Sequence, residues 1–512
     1  MDDDVLVIKA NNEKEDLGVF IMMKMLSRFW ILLALVMEIH PKCIHDLIAA
    51  PQISSSFHLQ VYKEEERNKR AKDDSNEPHF QPIRVHVEYH QVNELDSTMK
   101  AGLKNIVAKA VAKMDKILSV IPIQGSLLLK RVEACPVVIR SGINKGKCAR
   151  MKKGYRGESC LEILQIPDDH LEGLSLYNAT YNKPLEEVFL FGTGVNNTDL
   201  ILYVTALTTK LCLAYNETVT AYASHCQVDH SGRPVAGLIN FCPFALKKFW
   251  TREHFLYQIA LHELLHVLGF SNKLFSHYQH CTGTVCQVYT DPVRSVDGVM
   301  RLVTYNVVNY TQHHFGCFSE PEFGAPLEAA SYGSLKVASH WDSRRMHTSL
   351  MTALIDQSQL VLDPITLSVF QDTGWYQVDF QHADRMMWGR GAGCTFGSED
   401  ECLEDPVHFC SNNSSGCHYL RYDKAVCDSS KTNNKCGVYT AFLQGSCVED
   451  MPDKSSDLEI FSSSSRCVLS SISKVEQSTE KKGQCYRHRC LSDGSVEIQM
   501  NAVTGSFVTG AI

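Results

Sequence analysis

From Ser97 onward, apolar residues return every three or four positions: Met99, Leu103, Ile106, Val107, Ala110, Val111, Met114, Ile117 and Leu118, with the lysines on the other side. This spacing predicts an amphipathic helix, capped by Ser97, that belongs to a core. ACPVVIR (134–140), LILYVTALTT (200–209) and VAGLINF (235–241) have a different pattern. They are short continuous apolar runs, which predicts buried strands, and the last follows the turn signal SGRP. A second helix is expected after Thr251, its N-cap, with Glu253 in the first turn and Gly269 as the stop, giving about 17 residues. Its positions Ile259, Leu261, Leu264, Leu265, Val267 and Leu268 are apolar around the whole circumference, so it is expected to be buried nearly all round. Strands leading into such a helix predict an α/β or α+β catalytic domain. From Cys394 the chain changes to short cysteine-rich segments punctuated by Gly, Ser and Asn, placing a boundary near 393, and no internal repeat is evident.

Composition alters this picture mainly through cysteine. A length of 512 residues with 44% hydrophobic positions allows several domains with sizeable cores. The net charge of −8 and the lack of a long basic run give no sign of a nucleic-acid partner. Twenty cysteines, ten of them between Cys394 and Cys490, exceed what a reducing compartment tolerates. The ten contain no CxxC pair, which favours disulfides over structural zinc. Sequons at Asn178, Asn196, Asn216, Asn309, Asn412 and Asn413 agree with a secretory route.

Lys24 and Arg28 precede FWILLALVM (29–37), a basic and then apolar pattern expected of a signal peptide, although the acidic residues 1–22 do not fit in front of it. Translation from Met22, Met23 or Met25 would remove that conflict. An uncleaved anchor over 17–37 is disfavoured by the same two basic residues. The C-terminal NAVTGSFVTGAI is too short and polar for a GPI signal. The mature product is therefore expected to be soluble and secreted. Between the signal and residue 80, KEEERNKRAKDD contains Arg67, Asn68, Lys69 and Arg70, a sequence of the kind cut by proprotein convertases.

The second helix carries HELLH. His262 and His266, four apart, share one helix face and can present imidazole nitrogens to one ion. Glu263 is turned to the side, where its carboxylate can act on a water as general base. This leaves the zinc shell one protein ligand short. Three residues past Gly269 stands Asn272, a poor ligand. His277, His280, His313, His314, His340 and His347 are the imidazole alternatives, and Glu320, Glu322 and Glu328 the acidic ones; spacing alone does not choose.

HELLHVLGF, SHWDSRRMHTSLM (339–351), DTGWYQVDF, WGRGAGC and, ahead of the helix, AYASHCQVDHSGRPVAGLINF together resemble the leishmanolysin family of metzincin proteases, invadolysins included. The resemblance spans about residues 80 to 490. It implies an α+β fold with a metzincin-type catalytic domain (a twisted mixed sheet plus the HExxH helix), a central domain and a disulfide-rich C-terminal domain. It also implies His340 as third zinc ligand and Met351, eleven residues on, as the Met-turn methionine, with 270–339 as an insertion. His277 and His280 then become surface or loop histidines. HPKCIHD (40–46) is similar to the family's propeptide motif, which gives Cys43 the role of a thiolate switch on the zinc. Two departures stand out. No small-residue cleavage site precedes Cys43, whereas Ala49 and Ala50 follow it. Family members continue past GSFVTGAI into further cysteines, so one cysteine here is expected to lack its partner.

The expected organisation is an N-terminal extension and signal (1–42), a propeptide (43–70), a catalytic domain with the zinc helix (71–275), a central domain with the third histidine and Met-turn (276–393) and a cysteine-rich domain (394–512). The expected function is that of a secreted zinc endopeptidase, binding one Zn²⁺, made as a zymogen and activated by a proprotein convertase after Arg70. The resemblance assigns VAGLINF to hold the substrate backbone. The expected substrates are proteins or peptides, extracellular matrix or host proteins among them. Two competing readings are an adhesive protein on a metzincin scaffold and a thermolysin-like enzyme with an acidic third ligand.

Overall fold

The computed structural model describes residues 45–47, 79–214, 219–283, 285–329, 337–353, 358–398, 402, 405–410, 414–429, 436–449, 459–470, 482–492, 496–499 and 507–510. The signal segment, Cys43, the Arg67–Arg70 sequence and the sequons at Asn216, Asn412 and Asn413 lie outside the described residues.

A four-stranded mixed sheet carries the site. It contains β1 (Val85–His90), β2 (Leu200–Thr205), β3 (Ala221–Val228) and β4 (Pro234–Phe241), in the order β3-β4-β2-β1. β2 is parallel to both β1 and β4, while β3 runs antiparallel to β4 along the outer edge. All six residues of β2 are buried, as expected of a parallel strand covered on both faces. Leu200, Leu202 and Val204 join the main core, whereas Ile201 and Tyr203 join a second core with Leu127, Leu129 and Leu171. β2 stops at Thr205, short of the expected 209. The Asn240 side chain there accepts from Thr205 Oγ1 and Leu207 N and donates to Leu207 O, turning the chain away.

The run at 134–140 is not a buried strand. Only Val137–Val138 pairs, with the segment Cys148–Arg150, and both valines are at least partly exposed. Pro136 lacks an N–H for a ladder, and the Cys135–Cys148 disulfide staples this small hairpin outside the main core.

Helix α1 (Ser97–Ile117) buries Met99, Leu103, Ile106, Val107, Ala110, Met114 and Ile117. Its cap is Asp96 rather than Ser97, since the Asp96 carboxylate accepts from Met99 N at 2.8 Å. Helix α2 (Glu253–Leu268) is buried along most of its length and packs on α1, β3 and β4. Thr251 does not cap it. The chain turns at Phe249–Arg252, Arg252 N bonding to Phe249 O, so the helix begins after Arg252 without a side-chain cap. α2 approaches the sheet closely over Gly237, where an added Cβ would stand 2.3 Å from Val267 Cγ1.

Beyond α2 lies a second, antiparallel sheet of β5 (Val293–Val296), β6 (Val299–Leu302), β7 (Ala325–Ala329) and β8 (Val337–Trp341), with α3 (Tyr305–Phe315) between β6 and β7. Helix α4 (Pro364–Asp372) packs against α3. The C-terminal part forms two small antiparallel sheets, one spanning 415–446 and one spanning 465–510. Their shared core consists of Cys417, Cys447, Phe461, Cys467 and Cys485.

Nine disulfides join cysteines of the described residues, and Cys490 is free and exposed. No helix among the described residues is long and apolar enough to cross a membrane.

Candidate metal centre

The α-helical period places His262 and His266 on one face of α2, and their Nε2 atoms lie 3.1 Å apart. Gly269 then ends the helix with φ +137°, a conformation that favours glycine, and its N–H returns to Leu265 O. Strand β8 brings His340 to the same point, its Nε2 3.2 Å from His266 Nε2. All three imidazoles are buried. Burial pushes the pKa of His262 down to about 3 and that of His266 well below its ordinary value, so both are neutral and able to ligate.

The opposite ring nitrogens are occupied. His262 Nδ1 donates to Leu350 O at 2.6 Å, and His266 Nδ1 donates to Phe270 O at 2.8 Å. His340 Nδ1 faces the Asp46 carboxylate at 3.3 Å, with Glu328 at 3.7 Å. With each proton held on Nδ1, three Nε2 lone pairs converge and none can donate to another. A cation resolves this arrangement. Tetrahedral zinc with Zn–N bonds of ~2.05 Å sets neighbouring nitrogens about 3.3 Å apart, so the residues present fit the metal. Among the described residues this is the one group of three ligands positioned for an ion.

Met351 is fully buried, and its carbonyl accepts from Trp341 N, tying this turn to the residue after His340. Below it, Asp363 accepts from Ser349 Oγ and Thr366 Oγ1, and Thr366 Oγ1 accepts from Trp341 Nε1. The turn that offers Leu350 O to His262 is thereby fixed to β8, which carries His340. Glu263, next to His262, is fully buried.

A family model described as leishmanolysin matches residues 188–450, just over half of the chain. The chain belongs to the leishmanolysin family. Ciliated left-right organizer metallopeptidase of Xenopus laevis is 34% identical over 474 residues, covering 90% of this chain and 64% of that protein. The Danio rerio protein of the same name is 35% identical, covering 82% and 70%. A leishmanolysin-like peptidase of Drosophila melanogaster is 29% identical, covering 62% and 50%. The chain thus spans about two thirds of the length of the first two relatives.

In this leishmanolysin-family chain the other histidines weighed as third ligand stand apart from the cluster of His262, His266 and His340. His277 is half-buried beside Gly232, and exposed His280 packs on the Tyr289 and Tyr305 rings. His313 bonds Asn309 O, His314 bonds Trp388 O and His347 bonds Tyr439 O. The acidic alternatives do not converge either: Glu322 pairs with Arg294, the Glu320 carbonyl accepts from Gln312, and Glu328 stands on the Nδ1 side of His340. Of the sequon asparagines described, Asn196 and Asn309 are exposed and Asn178 is half-buried.

The structure corrects one expectation about the cleft. Strand β4, which contains VAGLINF, is flanked on both sides by β2 and β3 and has no free edge. The edge strands are β3 and β1, and a short segment from far upstream, His45–Leu47, lies beside β3. His45 Nδ1 donates to Ala223 O at 2.7 Å, its Nε2 accepts from Ser271 Oγ at 3.0 Å, and its ring stacks on His266 at 4.0 Å. Burial pushes the pKa of His45 down to about 4. Asp46 accepts from Ser339 N and, at 2.6 Å, from Ser339 Oγ. Burial alone would raise the Asp46 pKa, but hydrogen bonding from His340 holds it well below the carboxylate range. His45 and Asp46 belong to the heptapeptide that carries Cys43, and their place in that motif is the only sign of them in the sequence.

Proposed function

We propose that the chain is a zinc-dependent endopeptidase, secreted and made with an inhibitory leader. The observation that carries the reading is the convergence of three Nε2 atoms whose Nδ1 positions are already committed. His262, His266 and His340 would hold the ion. Bound there, zinc would supply a Lewis acid that lowers the pKa of water and polarises the scissile carbonyl. Glu263 takes up the proton of the attacking water and passes it to the leaving amine. A substrate backbone would pair along the outer edge of β3, where peptide N–H and C=O groups can add a strand. Family membership and relatives named as metallopeptidases support the activity, and the disulfides support an oxidising, extracytosolic destination.

Metal analysis with variants tests this directly. His340→Ala should lose zinc, Glu320→Ala should retain it, and Glu263→Ala should retain zinc while proteolysis falls at least a hundredfold. Undiminished proteolysis by purified Glu263→Ala would overturn the assignment.

A further inference from the structure

The three ligand histidines differ in what holds them from behind. His262 and His266 use carbonyls of Leu350 and Phe270, which belong to the Met-turn and to the end of the helix. These partners stay as long as the fold stays. His340 is oriented by a carboxylate from far upstream in the chain, Asp46, which also clasps both donors of Ser339. One residue earlier, His45 holds β3 and the segment after α2 through Ala223 O and Ser271 Oγ. The pair therefore bridges two elements, touching the edge strand β3 on one side and the third-ligand strand β8 on the other. A second carboxylate is close by. Glu328, on β7 beside β8, places Oε2 3.7 Å from the same His340 Nδ1, within a side-chain adjustment of hydrogen-bond length.

We propose that the backing of the third ligand is exchanged on activation: Asp46 orients His340 while the leader is in place, and Glu328 takes over when the leader leaves. This rests on the zinc-peptidase reading above. Two consequences follow from the geometry. First, the leader is retained by His45 and Asp46 through contacts that require no metal. Second, departure of Asp46 does not strand the His340 N–H, because Glu328 replaces its acceptor, so the metal centre survives the loss of a leader that had been part of its support. Asp46 and Glu328 are positioning residues, acting on the ion through His340.

The test uses the full chain with a single engineered protease site in place of residues 67–70, loaded with zinc. Zinc release to a chelating dye is followed before and after leader cleavage and separation, together with the fraction of cleaved leader that stays bound, measured with and without zinc. Partners behind a metal-ligating histidine are commonly worth 10–100-fold in metal affinity. Asp46→Asn should speed zinc release about tenfold or more only before leader removal, and should shed the cleaved leader in both metal states. Glu328→Gln should speed release only afterwards. Ser339→Ala should loosen the leader and leave zinc release from the mature form unchanged. The exchange is overturned if either carboxylate variant has the same effect in both forms, or if neither has any effect. Failure of the zinc reading has a different signature: the unsubstituted chain and His340→Ala would carry the same zinc content. In that case the exchange falls with it, whatever the leader does.

Discussion

Asp199 stands at the head of β2, where its buried carboxylate accepts from Arg84 N, Nε and Nη2 and from Ile123 N at 2.7–3.1 Å. Burial by itself would raise its pKa, but the Arg84 hydrogen bonds and the backbone donors hold it below its ordinary 3.8. A carboxylate whose folded pKa is depressed stabilises the fold above its unfolded pKa and loses that contribution as pH falls through the folded value. Asp199→Asn is thus expected to cost about 2 kcal/mol at pH 7 and progressively less as the pH is lowered below about 4. Urea unfolding of both proteins at pH 7 and pH 3 checks it; an equal deficit at both would deny the linkage. At this scale the sequence is least informative. Asp199 adjoins an obvious strand, yet nothing local points to Arg84, 115 positions away. Likewise His262, Glu263 and His266 declare themselves by spacing within one helix, whereas Asp46 and Ser339 become partners only through the fold.

Elements are more legible, because period and burial act over several residues at once. β2, β4, α1 and α2 emerge close to where the apolar pattern predicts them, while the helix starts move by a residue or two because a cap depends on chain direction. Position in the sheet is a different matter. VAGLINF reads as a strand, but whether it lies at an edge depends on β3 folding back across it, and β3 removes the edge assigned to it. This close layering also fixes Gly237, over which Val267 sits. Gly237→Ala is expected to destabilise by about 1–3 kcal/mol through overpacking, and Val267→Ala in the same chain to restore part of the loss. Thermal unfolding of the two single variants and the double variant measures the coupling; simple additivity would show that the helix does not press on the sheet at this point.

For the whole molecule, the cysteine count already implies a disulfide framework, but its connectivity becomes clear only in the structure. The C-terminal core holds four half-cystines and one phenylalanine, whereas the sheet and α2 share a large apolar core. Graded reduction is therefore expected to raise hydrogen exchange across 415–490 while β2, β4 and α2 stay protected. Uniform loss of protection would contradict this division. The third ligand shows the same limit on legibility. Spacing alone leaves nine residues open because the chain between 270 and 339 follows no simple period, and only the resemblance of the SHW stretch, with a methionine eleven residues on, singles out His340.

That separation bears on how the protein is made. His266 and His340 are 74 positions apart. A nascent chain exposes the complete HELLH helix several seconds before His340 can be synthesised, at ordinary elongation rates of about 5–20 residues per second. During that interval two imidazoles face an unfinished coordination sphere, and only arrival of the later strand closes it. Firm metal retention by the three histidines would then report that translation has passed His340, a chemical mark that separates longer chains from fragments stalled upstream.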